Sequence, residues 1–340
     1  MARGKPNPNA GSKQRANQRT SQRTKQPDKP RTTQTNRGNR GRQRTLAAAS
    51  ETNPVQATVS VKLQKHLADL GVASRREIER WIEAGRISVD GKIATLGARV
   101  TGAERILVDD KPTGREPRVG ETLQPRVLLL NKAEGVICTH KDPEGRRTVF
   151  GDLPRLRTGR WVGVGRLDVA TTGLLLITND GALAHRMMHP STGLDREYAV
   201  RTDGILSDAQ IAAMRRGVIS DGEKLKFSDI RYFDGSGENH WYHVTLLEGR
   251  NHEVRRLFAS QDMQVRRLKR VRYGPVLLPS WLRRGKRFEL GRQDLKGLYR
   301  TLDMPLRLRV GHPVRRGMDR RYAERSVLIP YPVLPQRAPS

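Results

Sequence analysis

The chain has 340 residues, enough for two domains, and 65 lysines and arginines against 35 acidic residues give it a formal net charge of +30, which favours a polyanion such as nucleic acid as its partner. Hydrophobic residues make up 35% of it, which can fill a modest core but cannot bury every segment. No apolar run is long enough to cross a bilayer, and the single cysteine, Cys138, excludes an intramolecular disulfide and fits a reducing cytoplasm.

Both ends of the chain are predicted to be disordered basic tails. The first 45 residues contain 13 lysines and arginines, one acidic residue, and no valine, isoleucine, leucine or aromatic residue. Such a segment cannot bury enough apolar surface to offset the conformational entropy lost on folding, so we expect residues 1–57 to stay unfolded. Residues 302–340 are rich in arginine and proline and lack periodicity, which indicates a second tail that contacts RNA.

A small module is predicted between residues 58 and 109. Apolar residues at helical spacing form a first helix that Gly71 ends. A second helix begins at Ser74, in a capping-box pattern, and ends at Gly85. Two short strands follow around an Asp-Gly dipeptide at position 90, which is typical of a tight turn. The module is therefore expected to consist of two helices and a hairpin.

The polar faces of these two helices carry cations that are predicted to bind RNA phosphates. Most runs of charge are solvated surface, and a lone helix would favour that interpretation. Six cations on a stretch this short favour phosphate contacts instead, which set affinity and register without reading bases. These cations are Lys62, Lys65, Arg75, Arg76, Arg80 and Arg86.

A linker is predicted over residues 110–124, which contain two prolines and two glycines and would let the module move. A larger domain follows over residues 125–301. Its apolar runs do not repeat as strand–helix–strand units, so the fold class is expected to be α+β, with a mixed, mainly antiparallel sheet. Strands are predicted at Val127–Leu130, Val136–Thr139, Leu174–Thr178, Tyr198–Arg201, Phe227–Phe233 and Trp241–Leu247, and helices at 181–188, 207–216 and 251–261.

The segment from Gly165 to Gly181 presents one acidic side chain in a glycine-bounded loop. Asp168 precedes an apolar strand, and a buried strand can hold such a carboxylate in place for a substrate. The residue could instead be structural, since an aspartate after a strand often caps the next turn. The sharp return through Thr171, Thr172 and Gly173 into the strand favours the functional interpretation.

Four sequence blocks carry a resemblance to a known family. The segment around Asp168, GRLDVATTGLLLITNDGALAHRMMHP, resembles the first signature of the RsuA-like bacterial pseudouridine synthases. Three further blocks stand in family order: LNKAEGVICTH before it, REYAV after it and LLEGRNHEVRRLFASQDMQVRRLKRVRYGP later. The small module resembles the S4 RNA-binding domain through LQKHLADLGVASRREIERWIEAGRISVDG. The resemblance thus spans both expected domains.

The resemblance implies an enzyme that isomerises a specific uridine of ribosomal RNA, most similar to those acting on the large-subunit (23S) RNA. The reaction breaks the C1′–N1 bond and joins C1′ to C5, without hydrolysis or net redox change, so no cofactor and no metal are expected. A synthase for small-subunit RNA and a non-catalytic ribosome-assembly factor remain as alternatives. Ribosomal RNA or an assembly intermediate is the expected partner of what we expect to be a cytoplasmic monomer.

The resemblance assigns three residues to catalysis. Asp168 would act as nucleophile or base toward the ribose, and the motif does not decide between the two. Arg255 would be the buried cation that keeps this carboxylate ionised, although composition alone makes it one of many surface arginines. Tyr198 would stack on a uracil flipped out of the RNA, although a strand tyrosine can equally fill a core.

Further residues are expected to hold the RNA. Arg166 would keep the target nucleotide out of its stack, and Leu268 would pack below the base, as an ordinary core leucine also could. Arg250 and Asn251, in the same block as Arg255, are expected to bind RNA as well.

Two positions depart from the family pattern. His252 stands where relatives often have arginine or lysine, and Arg196 stands where many have lysine; both changes are expected to affect RNA contact more than chemistry.

A pair of histidines could in principle hold a metal ion. His185 and His189 are four residues apart on a predicted helix, but no carboxylate or cysteine accompanies them at ligand spacing. A metal site is therefore not expected.

Overall fold

The computed structural model describes residues 60–113, 124–306 and 325–334. The predicted tail over residues 1–57 and most of the predicted linker lie outside them. The described chain has a small amino-terminal domain and a larger one around a mixed, mainly antiparallel sheet, so the predicted α+β class is confirmed. No helix in these ranges is both long and apolar enough to cross a membrane.

The small domain packs two helices on short strands. Its elements are β1 (Val61–Lys62), α1 (Leu63–Asp69), α2 (Arg75–Glu83), β2 (Ile87–Val89), β3 (Lys92–Ile93), β4 (Arg99–Val100), β5 (Ile106–Val108) and β6 (Lys111–Pro112). Helix α2 begins as predicted, because the Ser74 hydroxyl accepts a hydrogen bond from the Glu77 amide at 3.2 Å. The reciprocal half of the capping box does not form, since the Glu77 carboxylate pairs with Arg80. Ile78 and Ile82 of α2 are buried against α1.

The larger domain contains eleven described strands and four described α-helices. The strands are β7 (Val127–Lys132), β8 (Val162–Val164), β9 (Thr171–Thr178), β10 (Arg196–Thr202), β11 (Val218–Ser220), β12 (Glu223–Leu225), β13 (Asp229–Ser236), β14 (Asn239–Leu246), β15 (Val265–Tyr273), β16 (Val276–Leu277) and β17 (Arg287–Glu289). The helices are α3 (Gly181–Met188), α4 (Asp208–Arg216), α5 (Glu253–Ala259) and α6 (Arg292–Thr301), with a short 3-10 helix at Pro190–Thr192.

One sheet organises this domain, in the strand order β13-β14-β10-β15-β9-β7-β17, with β8 also on β9 and β16 also on β15. Its described pairings are antiparallel except that of β9 with β15, which is parallel. Every residue of β9 is buried, because an apolar cluster lies on each side of it: Leu175 faces the cluster that contains Phe258, and Leu174 faces the one that contains Leu298. A strand covered on both faces is therefore the support for the loop that precedes it.

Two predicted features differ in the structure. Residues Val136–Thr139 form no regular strand, and the ladder there is a single bridge from Ile137 to Thr148. The tail predicted from residue 302 is wrong for residues 325–334, which pack on the larger domain. Val327 is 4% exposed, and the Leu334 amide donates to the Thr301 carbonyl at 2.7 Å. Scattered apolar residues among the prolines make this docking possible.

The two domains are in direct contact at a pair of glycines. The Gly159 amide donates to the Leu70 carbonyl at 3.2 Å. Gly71 has a φ of +87°, and a Cβ there would lie 2.5 Å from the Gly159 carbonyl oxygen. The two backbones can come this close only because residue 71 is a glycine without a side chain. The module that the sequence predicts to move is thus hydrogen-bonded to the larger domain.

Candidate active site

A cleft of about 750 Å³ opens on the larger domain. Its walls come from the loop before β9, from β10 and β15, and from the loop that leads into α5. The structure brings six of the residues predicted for the site together in this lining: Asp168, Tyr198, Leu268, Arg166, Arg250 and Asn251. Arg255 does not line the cleft.

Asp168 lies in the loop between β8 and β9, and a buried lysine fixes that loop. Lys132, at the end of β7, is 0% exposed. Its Nζ donates to the carbonyl oxygens of Asp168 at 3.0 Å, Val169 at 3.2 Å and Thr171 at 2.8 Å, and also to Ala133 at 3.1 Å. Burial lowers the pKa of Lys132, so the carbonyl groups have to stabilise the charge that burial disfavours. The sequence analysis missed Lys132, since no local pattern distinguishes it from a surface lysine.

The basic side chain nearest to the Asp168 carboxylate among the described residues is that of His252, and Arg255 makes no ion pair with Asp168 here. His252 Nε2 lies 3.4 Å from Asp168 Oδ1, with the two side chains 54% and 38% exposed. Arg255 Nη1 donates instead to the Val265 carbonyl at 3.0 Å. Helix α5 is anchored through buried residues such as Leu257, and this orientation turns Arg255 toward the start of β15. A catalytic role for Arg255 stays a prediction.

Tyr198 and Leu268 share the apolar side of the cleft. Tyr198 is 8% exposed on β10 and Leu268 is 5% exposed on β15, and both belong to one apolar cluster. Tyr198 is paired with Arg270, and Leu268 with Thr171 at the start of β9. Because paired residues of adjacent strands lie on the same face, these side chains stand beside the Asp168 loop. That they receive a base stays a prediction.

Arg196 is a structural residue, which corrects the expected RNA contact. It is 9% exposed, and its Nη1 donates to the carbonyl oxygens of Leu194 at 3.0 Å and Leu247 at 2.7 Å. Its Nη2 donates to the Tyr273 hydroxyl at 3.0 Å. Arg196 therefore fixes the chain just after β14, where the loop toward His252 begins.

On the opposite wall of the cleft, Arg250 is held by hydrogen bonds within the described part of the protein, whereas the side chains of Arg166 and Asn251 are not. The Arg250 amide donates to Glu253 Oε2 at 2.9 Å, and its Nε donates to Glu248 at 2.7 Å. Glu253 is 5% exposed, and burial raises its pKa. Arg166 and Asn251 are exposed and make no hydrogen bond to the residues that the structure describes. Of these side chains, Arg166 and Asn251 are the ones available to a ligand.

The cations predicted on the small domain divide into two groups. Three are paired: Lys65 with Asp69 at 2.6 Å and Arg80 with Glu77, each within one helix, and Arg86 with Asp109. Three others are exposed and form no ion pair within the described ranges: Lys62, Arg75 and Arg76. The latter group is free to contact phosphates.

The histidine pair shows no metal-ligand arrangement. The rings of His185 and His189 are 5.3 Å apart, and His189 Nδ1 lies 2.7 Å from the Ser191 hydroxyl. Across the described part of the chain, no group of three or more histidine, cysteine, aspartate or glutamate side chains is placed to hold a metal ion.

Comparisons with known proteins match both domains. A family model described as RNA pseudouridylate synthase matches residues 126–260, and an S4 domain model matches residues 61–106. The ribosomal large subunit pseudouridine synthase B of Pseudomonas aeruginosa is 53% identical over 238 residues, which are 70% of this chain and 61% of that protein. The protein of the same name from Escherichia coli K12 is 51% identical over 251 residues, 73% of this chain and 85% of that protein.

A solved structure titled as a pseudouridylate synthase is 25% identical and covers 70% of this chain and 99% of its own, with a TM-score of 0.49. The matched span covers less than two thirds of the Pseudomonas protein but most of the Escherichia one. The chain therefore belongs to the RNA pseudouridine synthase family and carries an S4 domain.

Proposed function

We propose that the protein converts one uridine of large-subunit ribosomal RNA to pseudouridine, with Asp168 acting on the ribose. The observation that carries the proposal is the Asp168 carboxylate, 38% exposed, in a cleft whose lining includes several arginines, and held through its own backbone by Lys132. The names of the relatives at 53% and 51% identity support a large-subunit target.

The proposed chemistry needs one carboxylate at a fixed place. Breaking the C1′–N1 bond requires either attack on C1′ or removal of the 2′ proton, and Asp168 can perform either step. Both depend on a carboxylate that stays in position while the base turns. The loop held by Lys132 meets that need. The detached base is then proposed to lie against Tyr198 and Leu268.

The small domain is proposed to supply affinity rather than chemistry. Lys62, Arg75 and Arg76 are exposed and free of ion pairs among the described residues, so they can contact RNA phosphates at little desolvation cost. We also propose that the protein acts in the cytoplasm, as a monomer, on ribosomal RNA or on an assembling large subunit. The net charge of +30 and the single cysteine support this setting.

The test is a map of pseudouridines in ribosomal RNA, by carbodiimide-dependent reverse-transcription stops, with and without the gene for this protein. We expect one stop in the large-subunit RNA to disappear and to return with the wild-type gene. Asp168→Asn should fail to restore it while its purified protein still binds the RNA, since the phosphate contacts remain.

The matched control is Asp262→Asn, which makes the same chemical change at an exposed position. It should restore the stop fully. Restoration by Asp168→Asn would overturn the assignment of the carboxylate. An unchanged map without the gene would favour a non-catalytic assembly factor, and loss of a small-subunit stop would change the target.

A further inference from the structure

Arg270 is a buried cation in the cleft lining that is only partly satisfied. It lies on β15 and is 2% exposed. Its Nε donates to the Leu174 carbonyl at 2.7 Å, and its guanidinium carbon lies 5.1 Å from the centre of the Tyr273 ring. Its Nη2 is buried and has no hydrogen-bond partner among the described residues. A buried donor without a partner is rare, so this group requires an explanation.

The neighbouring arginine shows what a purely structural role looks like. Arg196 lies over the same Tyr273 ring, at 4.9 Å, and both of its Nη groups donate to protein acceptors. The guanidinium groups of Arg270 and Arg196 thus lie near the same ring. It forms no ion pair within 4.0 Å with any described carboxylate, Asp168 and Glu253 included. A buried charge in this setting is stabilised only when a strong acceptor enters the cleft.

The sheet register places Arg270 where the proposed substrate base would lie. It is paired with Tyr198 on β10 and follows Leu268 by two residues on β15, so the three side chains are on one face. On the other side it is paired with Gly173, just after the Asp168 loop. If Tyr198 and Leu268 hold the flipped uracil, as the proposed function requires, then Arg270 is a buried donor on the same face, with a nitrogen that is unpaired within the described ranges.

We propose that Arg270 donates from Nη2 to a carbonyl oxygen of the flipped uracil and stabilises the negative charge on the detached ring. When the C1′–N1 bond breaks, its electron pair stays on N1 and spreads onto O2 and O4. C1′ meanwhile either bonds to Asp168 or is part of a double bond formed by loss of the 2′ proton to Asp168. The C1′–C5 bond then forms as the bond from C1′ to Asp168 breaks or, on the other route, as Asp168 returns the proton to C2′; C5 loses its proton and N1 gains one. Arg270 is needed while the ring is anionic.

The test is an enzyme–substrate double-mutant cycle with full-length protein. The substrate is a fragment of large-subunit RNA with the mapped uridine, and versions of it carry 2-thiouridine or 4-thiouridine there, since sulfur accepts hydrogen bonds weakly. We expect Arg270→Met to slow single-turnover isomerisation of uridine about 100-fold, the loss typical of one donor to a developing anion. RNA affinity should stay within about threefold, because no phosphate contact is removed.

The decisive readout is coupling between the side chain and one oxygen. One thio substitution should slow the wild type about tenfold and should slow Arg270→Met no further, because the interaction is already lost. Arg267→Met removes an exposed cation from the same strand and should retain the full thio effect.

Equal thio effects in the wild type and Arg270→Met, at both oxygens, would overturn the proposal and leave Arg270 a structural residue. If Arg270→Met does not fold, Arg270→Lys carries the test, since it keeps the charge and should show a reduced thio effect. Absence of isomerisation by the wild type on both the fragment and large-subunit assembly particles from cells without the gene would instead overturn the proposed function, and the inference with it.

Discussion

The ammonium group of Lys132 and the backbone carbonyl of Asp168 lie 3.0 Å apart, so the proposed reacting residue is tied to the interior of the sheet. Lys132→Met keeps most of the aliphatic stem but leaves the carbonyl groups of this loop without their donor. We expect a loss of stability of about 3 kcal/mol, measured by urea unfolding, since the lost hydrogen bonds are buried and charged. The single-turnover rate should fall at least about tenfold, because the carboxylate is no longer held.

The matched control for that substitution is Lys141→Met, at an exposed lysine of the same domain. It should leave stability within about 0.5 kcal/mol of the wild type, as is usual for surface changes. Normal isomerisation by a folded Lys132→Met protein would contradict the claim that this lysine positions Asp168.

His252 occupies a left-handed backbone position, with φ of +49°. Asparagine tolerates this conformation and a β-branched residue does not, so His252→Val should be less stable to urea than His252→Asn by about 1–2 kcal/mol. Both variants lose the contact with Asp168. Because that pair is half exposed, we expect activity to fall no more than about fivefold, and the difference should shrink as salt is added. Equal stability of the two variants would contradict the backbone argument.

Gly71 tests the contact between the two domains. In Gly71→Ala the new Cβ would lie 2.5 Å from the Gly159 carbonyl oxygen and would push the domains apart. We expect RNA affinity to weaken several-fold, since the small domain is proposed to supply phosphate contacts, while the single-turnover rate of bound RNA changes little. The control is Gly97→Ala, which has a similar φ of +88° but nothing within 4 Å of the new Cβ. A similar loss of affinity in both variants would show that backbone strain, and not the contact, is responsible.

Tyr331 holds the docked segment 325–334 through Asp195. Its hydroxyl donates to Asp195 Oδ1 at 2.8 Å, and Arg272 donates to both oxygens of that carboxylate at 2.7 and 2.8 Å. Burial raises the pKa of Asp195, but these hydrogen bonds outweigh burial and hold the pKa below its usual value. Burial and the carboxylate raise the pKa of Tyr331 to about 12.

The two shifts define a pH window for this segment. The lowered pKa of Asp195 means that its contribution is present above about pH 4 and is lost as the pH falls through the folded value. The raised pKa of Tyr331 means that its contribution is present below about pH 10 and is lost as the pH rises through about 12. In urea unfolding, Tyr331→Phe should be less stable than the wild type by about 1.5 kcal/mol at neutral pH, and the difference should shrink toward both extremes. A constant difference would contradict the assignment.

The parts of the fold that local sequence determines were predictable. Ser207 and Gln210 form the complete capping box that starts α4, and α3 spans the predicted residues 181–188. The apolar run Val136–Thr139 misled because four residues cannot distinguish a strand from a loop, and here Ile137 and Cys138 line the cleft. Strand β15 was not predicted, since five of its nine residues are lysine or arginine.

Some residues of the candidate site were likewise predictable from the sequence and others were not. Three of the family blocks located the carboxylate, the tyrosine and the leucine that line one cleft. The burial of three cations was not predicted: Lys132, Arg196 and Arg270 are 0%, 9% and 2% exposed, whereas most lysines and arginines of the described ranges are not buried. Burial of a charge depends on carbonyl groups and rings contributed by distant strands, and no local pattern in one sequence records them.

The parallel pairing of β9 with β15 has a consequence for how the enzyme is made. Strand β15 is synthesised after β10 and β14, yet it lies between β9 and β10 in the sheet. A chain emerging from the ribosome therefore exposes Asp168 long before Leu268 and Arg270 exist to complete the cleft. Closure of the long loop between the paired strands must precede activity. On the proposed assignment, a nascent chain that ends before residue 265 possesses the carboxylate and is expected not to modify RNA.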